Sequence, residues 1–88
     1  MKYIVEIKKY YNSDEIKDVF VEDTQYPINT WVSKSVMIKY MLSHPYETIK
    51  TRYFKNGYWH EGEIVRVVDN RYLRTDSNNI KADNLGEL

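Results

Sequence analysis

The segment Tyr53-Phe54-Lys55-Asn56-Gly57-Tyr58-Trp59-His60 decides the architecture of the C-terminal half of the 88-residue chain. Asn-Gly is the strongest two-residue hairpin signal, because both residues tolerate the positive φ angles of a type I′ turn. The turn joins a predicted strand from Thr48 to Lys55 to a second one from Tyr58 to Val68. Its register sets Lys55 opposite Tyr58, Phe54 opposite Trp59, and Tyr53 opposite His60.

A second turn signal, Asp69-Asn70, follows this hairpin and predicts a further strand. A two-residue turn places Val67 opposite Tyr72 and Val65 opposite Arg74. The residues from 77 to 88 are polar and predict an irregular tail. Leu85 and Leu88 are apolar residues in this tail. Either they pack on the domain and anchor the tail, or the tail is frayed.

The N-terminal part begins with a hairpin. Apolar and charged residues alternate from 3 to 10 and again from 16 to 21, which is typical of half-buried strands. The turn signal Asn12-Ser13-Asp14 lies between them. Gln25-Tyr26-Pro27-Ile28-Asn29 is predicted to be a connection, because a proline lacks a backbone donor and biases the preceding residue away from helix.

A short helix is predicted after this connection. Ser33 is a good N-cap, and the helix must end by His44 because Pro45 follows. The apolar stripe of the helix consists of Val36, Met37, Tyr40 and Met41. The chain is therefore expected to be a single α+β domain, residues 1–88. It has a small antiparallel sheet of about five strands in the order β-β-α-β-β-β, and the helix packs on one face of that sheet.

Composition limits the possible partners. The 13 basic and 13 acidic side chains cancel, whereas proteins that bind long polyanions normally carry a basic excess, so nucleic acid is possible but not favoured. There is no cysteine, hence no disulfide and no thiolate ligand. Glu6 and Lys8 interrupt the apolar residues near the N-terminus, so we expect no signal segment there, and no stretch is apolar enough to span a bilayer. We expect a cytoplasmic protein without membrane contact.

The segment Arg71-Tyr72-Leu73-Arg74-Thr75-Asp76, followed seven residues later by Asp83-Asn84-Leu85, resembles the C-terminal signature of a bacterial family known as domain of unknown function 3892. Small members of that family carry a Tyr-Leu-Arg-Thr motif and a downstream Asp-Asn-Leu. The order of strands and helix is similar as well. The resemblance implies the same layout and no activity, since the family has none assigned.

No catalytic signature is present. The chain has no glycine-flanked serine, no glycine-rich phosphate loop and no two-histidine helix motif, so we expect neither an enzyme nor a cofactor. His60 and Glu61 are adjacent on a strand and point to opposite faces, which excludes a shared metal ion in a regular strand. Asp76, Asn78 and Asp83 are predicted to cap turns through hydrogen bonds from backbone amides.

The arginines give the better functional lead. Arg66, Arg71 and Arg74 lie within one predicted hairpin. Because side chains alternate between the two faces of a strand, at most one of Arg71 and Arg74 can lie on the same face as Arg66. Together with aromatic rings, guanidinium groups suit a ligand that carries phosphate and a stackable base. The candidate ligand-binding residues are Arg66, Arg71, Arg74, Tyr58, Trp59 and Tyr72. In the alternative interpretation the arginines pair with surface carboxylates, and Arg74 binds backbone carbonyls that hold the tail.

These observations predict a non-catalytic binding protein that captures a small phosphorylated ligand such as a nucleotide. The alternative is a protein–protein interaction or inhibitor module of phage or bacterial origin that docks through the Phe54–Trp59 hairpin. Tyrosine and tryptophan are favoured at interfaces, so we also expect a homo-oligomer. Nucleic-acid binding is a third hypothesis.

Overall fold

The computed structural model describes residues 1–25, 29–77 and 79–88. Within them the elements follow in this order: strands β1 (Lys2–Lys9), β2 (Ile16–Asp23) and β3 (Asn29–Ser33), helix α1 (Lys34–Ser43), and strands β4 (Ile49–Lys55), β5 (Tyr58–Ile64), β6 (Arg66–Val68) and β7 (Tyr72–Arg74). The first five strands form one sheet in the order β3-β2-β1-β4-β5, while β6 and β7 form a separate hairpin. For these residues the predicted α+β class, with a five-stranded sheet and one short helix, is confirmed.

The N-terminal hairpin is confirmed, and a third strand continues it. β3 pairs antiparallel with β2 and places Trp31 opposite Phe20, with the two rings edge to face at 5.2 Å. The sequence assigned Asn29 to a connection; the central residues of that connection, 26 to 28, lie outside the described ranges. A five-residue strand carries little local signal, because its stability comes mainly from cross-strand contacts such as this aromatic pair.

The sheet is mixed, so the prediction of a purely antiparallel sheet is wrong in this respect. β1 lies beside β4 in parallel, with three residue pairs from Lys2↔Ile49 to Ile4↔Thr51. The remaining ladders of the sheet are antiparallel. The extra strand and α1 together return the chain to the direction of β1, since a parallel pair needs a crossover connection.

The β4–β5 hairpin has the predicted register. Lys55 lies opposite Tyr58, Phe54 opposite Trp59, and Tyr53 opposite His60. Asn56 and Gly57 have φ angles of 54° and 86°, as a type I′ turn requires.

The predicted strand from Tyr58 to Val68 is two strands. It breaks at Val65, whose buried side chain joins the core and whose N–H donates to the Ile49 carbonyl at 2.8 Å. The predicted β6–β7 register is wrong by one residue, because Tyr72 lies opposite Val68 rather than Val67, and the connection contains three residues. Arg66 consequently lies opposite Arg74.

Helix α1 begins where the sequence predicts. The Ser33 side chain accepts a hydrogen bond from the Val36 backbone N–H at 3.2 Å. The buried face differs from the predicted stripe: Val36 is exposed, and Ile38 is buried beside Met37. One face of the sheet forms one side of the core, and α1 and the β6–β7 hairpin together form the other side. The most deeply buried side chains are Ile4, Ile16, Val19, Ile49 and Leu73.

The tail is anchored. Leu85 is buried in the core, and Leu88 packs against it. Asn84 donates its N–H to the Leu73 carbonyl at 2.8 Å and accepts at its own carbonyl from the Thr75 N–H at 3.0 Å. The segment therefore extends the β6–β7 hairpin by a short parallel bridge.

A polar network closes the junction between β1 and β4. The Lys2 ammonium group lies 2.8 Å from the Glu47 carboxylate and 3.4 Å from that of Asp23. The Tyr40 hydroxyl also donates to Glu47. The hydrogen bond from Lys2, followed by that from Tyr40, holds the pKa of Glu47 below its ordinary value of 4.5.

The network predicts an acid-sensitive contribution to stability. Because the pKa of Glu47 is lower in the folded protein, the contribution is fully present above the ordinary value of 4.5 and is lost as the pH falls through the lowered value. Since the pair is partly exposed, the loss is at most about 1 kcal/mol. Thermal unfolding from pH 6 down to pH 3 should show a smaller decrease in Tm for Glu47→Gln than for the wild type. Glu63→Gln is the matched control. If it reduced the decrease in Tm as much as Glu47→Gln does, the assignment of the acid-sensitive contribution to Glu47 would be contradicted.

Candidate functional site

A buried carboxylate joins three parts of the chain. Asp83 accepts hydrogen bonds from the Leu73 N–H at 2.9 Å, the Ile16 N–H at 2.8 Å and the Lys34 ammonium group at 2.9 Å. Its side chain is 1% exposed. Asp83 does accept from backbone amides, but these belong to distant strands, so the predicted turn-capping role is wrong for Asp83. Asn78 lies outside the described residues. This contact fixes the start of β2, the start of α1 and the middle of β7 around one point.

Two of the predicted ligand-binding arginines hold the tail. Arg74 forms a two-pronged ion pair with Asp76 at 2.7 and 2.8 Å and donates to the Ala82 carbonyl at 2.9 Å. Arg66 donates to the Asp76 carbonyl at 2.7 Å. The Asp76 carboxylate raises the pKa of Arg74 above its usual value. For Arg74, the structural interpretation is thus confirmed.

Two of the predicted aromatic residues lie in the β4–β5 hairpin. Trp59 packs edge to face on Phe54 at 5.6 Å, and the guanidinium group over its ring, at 5.1 Å, belongs to Arg52. Tyr58 is exposed and contacts the His60 ring. Trp59 and Arg71 line different cavities, so the structure does not bring the six predicted residues into one site.

Arg71 and Tyr72 lie together beside a cleft. Arg71 is in the turn between β6 and β7, not on a strand, and its guanidinium group is 5.6 Å from the Tyr72 ring. The Lys34 ammonium group is 5.7 Å from the same ring. The cleft, of about 540 Å³, lies between the start of β2, helix α1 and the β6–β7 turn.

The lining of this cleft is rich in cations. It includes one carboxylate, Glu15, and four basic side chains: Lys17, Lys34, Lys39 and Arg71. Lys34 is paired with Asp83 at 2.9 Å and with Glu15 at 3.4 Å. Within the described ranges, the other three basic side chains form no ion pair. We call this feature the cationic cleft.

Other side chains complete the cleft. Tyr10, directly after β1, is half exposed, and Leu42 of α1 presents an exposed apolar surface. Sequence reasoning missed Tyr10 and all three lysines. Tyr10, Lys17 and the two lysines of α1 lie in three separate parts of the sequence, so only the folded arrangement brings them together.

The described residues provide no metal centre. In residues 1–25, 29–77 and 79–88, no three histidine or carboxylate side chains converge on a common point. His60 stacks on Tyr53 at 5.2 Å. Glu61 instead pairs with Lys50 at 3.3 Å and accepts from the Tyr3 hydroxyl at 3.1 Å, and these contacts lower its pKa.

Comparisons with known proteins add no relative. No protein-family model matches the chain, and neither the curated proteins nor the solved structures yield a significant match. The resemblance to domain of unknown function 3892 therefore stays a prediction. Among the described residues, no helix combines the length and the apolar character needed to cross a membrane.

Proposed function

We propose that this chain is a non-catalytic binding protein that captures a small phosphorylated ligand, such as a nucleotide, in the cationic cleft. One observation carries the proposal: Lys17, Lys39 and Arg71 line the same cleft and have no carboxylate partner within the described part of the chain. Unpaired cations around a concave surface raise the local concentration of anions and stabilise a bound phosphate.

The side chains that line the cationic cleft suit different parts of such a ligand. The planar guanidinium group of Arg71 can bind a phosphate through two parallel hydrogen bonds, while the lysines act as point charges. Tyr10 takes the stacking role that the sequence predicts for Tyr58, Trp59 or Tyr72, because none of those three rings lines the cationic cleft. Base stacking on an exposed ring is worth about 1–3 kcal/mol.

The size of the cleft favours a small ligand. Its volume of about 540 Å³ falls within the range of roughly 300–1,000 Å³ that is typical of small-molecule sites. The chain as a whole has zero net charge. Long polyanions are less favoured, because their binding depends on many phosphate contacts spread over an extended basic surface.

Thermal unfolding with a panel of mono-, di- and cyclic nucleotides tests the proposal. A ligand at about 100 times its Kd adds roughly 2.7 kcal/mol, which raises the Tm of a domain of this size by roughly 10 °C or more. Arg71→Gln and Lys39→Gln should each weaken binding about tenfold or more, because each removes a charge-assisted contact.

Lys55→Gln is the matched control, since Lys55 is an exposed lysine at the hairpin turn and does not line the cationic cleft. No shift with any nucleotide, or an equal loss in the control variant, would overturn the proposal. A salt titration distinguishes nucleotide capture from nucleic-acid binding, because binding to a nucleic acid requires the affinity for it to fall steeply with ionic strength.

A second candidate function is protein–protein interaction through the β4–β5 hairpin. Phe54, Tyr58 and Trp59 are 61%, 68% and 49% exposed. Large exposed aromatic side chains in one hairpin are typical of interface hot spots. This function is independent of the cationic cleft, so Arg71→Gln should leave it intact.

A further inference from the structure

The open face of the five-stranded sheet carries a continuous layer of aromatic and charged side chains. Arg52 lies over the rings of Tyr3 and Trp59 at 5.7 and 5.1 Å. On the other side of β1, Phe20 packs on Trp31, and the Lys8 ammonium group lies 4.2 Å from the Trp31 ring. We call this surface the outer face.

No described segment covers the outer face. Helix α1 contributes Met37 and Ile38 to the core on the opposite side of the sheet, together with Ile4 and Val19. The strand registers keep the outer set apart from that core, because Phe20 alternates with Val19 and Val21 along β2. The rings of the outer face thus have neighbours within the sheet but no second layer of described residues above them.

We propose that the outer face binds the same face of a second copy of this chain, forming a two-layer dimer. A two-fold interface uses the same patch on both copies and must therefore complement itself. Tryptophan, tyrosine and arginine are the residue types that dominate the energy of such interfaces. The proposal is independent of ligand capture in the cationic cleft.

The charges of the outer face are self-complementary. It already contains two ion pairs within the sheet, Arg52 with Glu22 at 3.1 Å and Lys50 with Glu61 at 3.3 Å. The remaining charged groups have no ion-pair partner among the described residues and are of both signs: Lys8, Glu6 and Asp18. In a dimer, Lys8 of each copy can pair with a carboxylate of the other. A strongly negative partner, such as a nucleic acid, would be repelled by the two carboxylates of this set, Glu6 and Asp18.

The available area reaches the lower limit for a specific interface. The five strands average about seven residues. With strands about 4.8 Å apart and about 3.3 Å per residue, the flat footprint is roughly 550 Å² per copy. Two copies together would bury roughly 1,100 Å² of accessible surface, which exceeds the ~1,000 Å² expected as a minimum for a specific interface.

The test is the mass in solution, measured by light scattering and sedimentation equilibrium over a wide concentration range. The wild type should reach twice the chain mass of 10.6 kDa. Trp31→Ala and Lys8→Glu should weaken dimerisation about tenfold or more. Tyr46→Ala is the matched control, since Tyr46 is fully exposed and lies outside the sheet.

A charge-exchange experiment keeps the test independent of folding. Lys8→Glu and Asp18→Lys are both changes at non-buried positions, so circular dichroism should show both variants folded. Each should be monomeric alone, and an equimolar mixture should form a heterodimer. A monomeric wild type at high micromolar concentration, or equal dissociation by Tyr46→Ala, would overturn the proposal. So would a mixture that stays monomeric.

Discussion

Asp83→Ala is expected to lower the free energy of unfolding by about 3–5 kcal/mol, because it removes one partner of a buried ion pair. The side chain is 1% exposed and accepts from two backbone amides as well as from Lys34. Its loss leaves the N–H groups of Ile16 and Leu73 without their acceptor. It also leaves the largely buried ammonium group of Lys34 with the longer ion pair to Glu15 as its remaining carboxylate contact. For a domain whose total stability is about 5–15 kcal/mol, urea unfolding should register this as a large decrease in the midpoint.

Three further variants show whether the charge or the hydrogen bonds matter more. Asp83→Asn keeps an acceptor but removes the charge, so its effect should be smaller than that of alanine. Asp83→Ala combined with Lys34→Met removes the uncompensated cation and should recover part of the loss. Asp14→Ala, at a fully exposed aspartate, is the control. If Asp83→Ala were no more destabilising than this control, the structural role assigned to the Asp83 carboxylate would be wrong.

Gly62→Ala is expected to destabilise the protein by about 1–3 kcal/mol through overpacking. A methyl group at position 62 would lie 2.0 Å from the Thr51 hydroxyl oxygen and 3.2 Å from both its Cβ and its carbonyl oxygen. Thr51 is buried in β4, and its hydroxyl accepts from the Glu63 N–H at 3.2 Å. The side chain therefore cannot rotate away without losing a hydrogen bond.

A double-mutant cycle with Thr51→Ala measures this contact directly. Removing the hydroxyl creates space for the new methyl group, so the double variant should be more stable than the sum of the two single effects by at least about 0.5 kcal/mol. Chemical denaturation of all four proteins gives the coupling energy. Strictly additive effects would show that the close approach of Gly62 to Thr51 does not limit stability.

Local chemistry explains which parts of the fold could be predicted. The β4–β5 register follows from Asn56-Gly57 alone, because a type I′ turn fixes the pairing of the flanking strands. The N-cap at Ser33 is equally local. Strand β3 and the parallel β1–β4 pair depend on contacts between distant segments, and a residue pattern within one segment does not encode them.

The candidate site shows the same division. Arg71 and Arg74 point to opposite faces only if both lie on a strand, but Arg71 lies in the turn. Asp69 and Asn70 both adopt positive φ angles, 54° and 52°, and the connection takes one more residue than predicted. That shift places Arg74 against Arg66 and the tail, and it leaves Arg71 at the cationic cleft.

The two segments on which the predicted family resemblance rests contact each other. Asp83 binds the backbone of Leu73, and Asn84 pairs with the same strand. The spacing between the segments is therefore the length of chain needed to return to β7. These contacts give both segments a structural role in holding the tail against β7.

The parallel pairing of β1 with β4 has a consequence for how the chain reaches its fold. The β1–β2–β3 unit and the β4–β5 hairpin each join neighbours in sequence, and such contacts close quickly. These two units are joined by three residue pairs between positions 47 residues apart, beginning with Lys2 and Ile49. Closing so long a loop costs conformational entropy, which slows the pairing. Until β4 arrives, one edge of the central strand is unpaired and open to another unfinished chain. Refolding yield should thus depend on protein concentration more than native stability does.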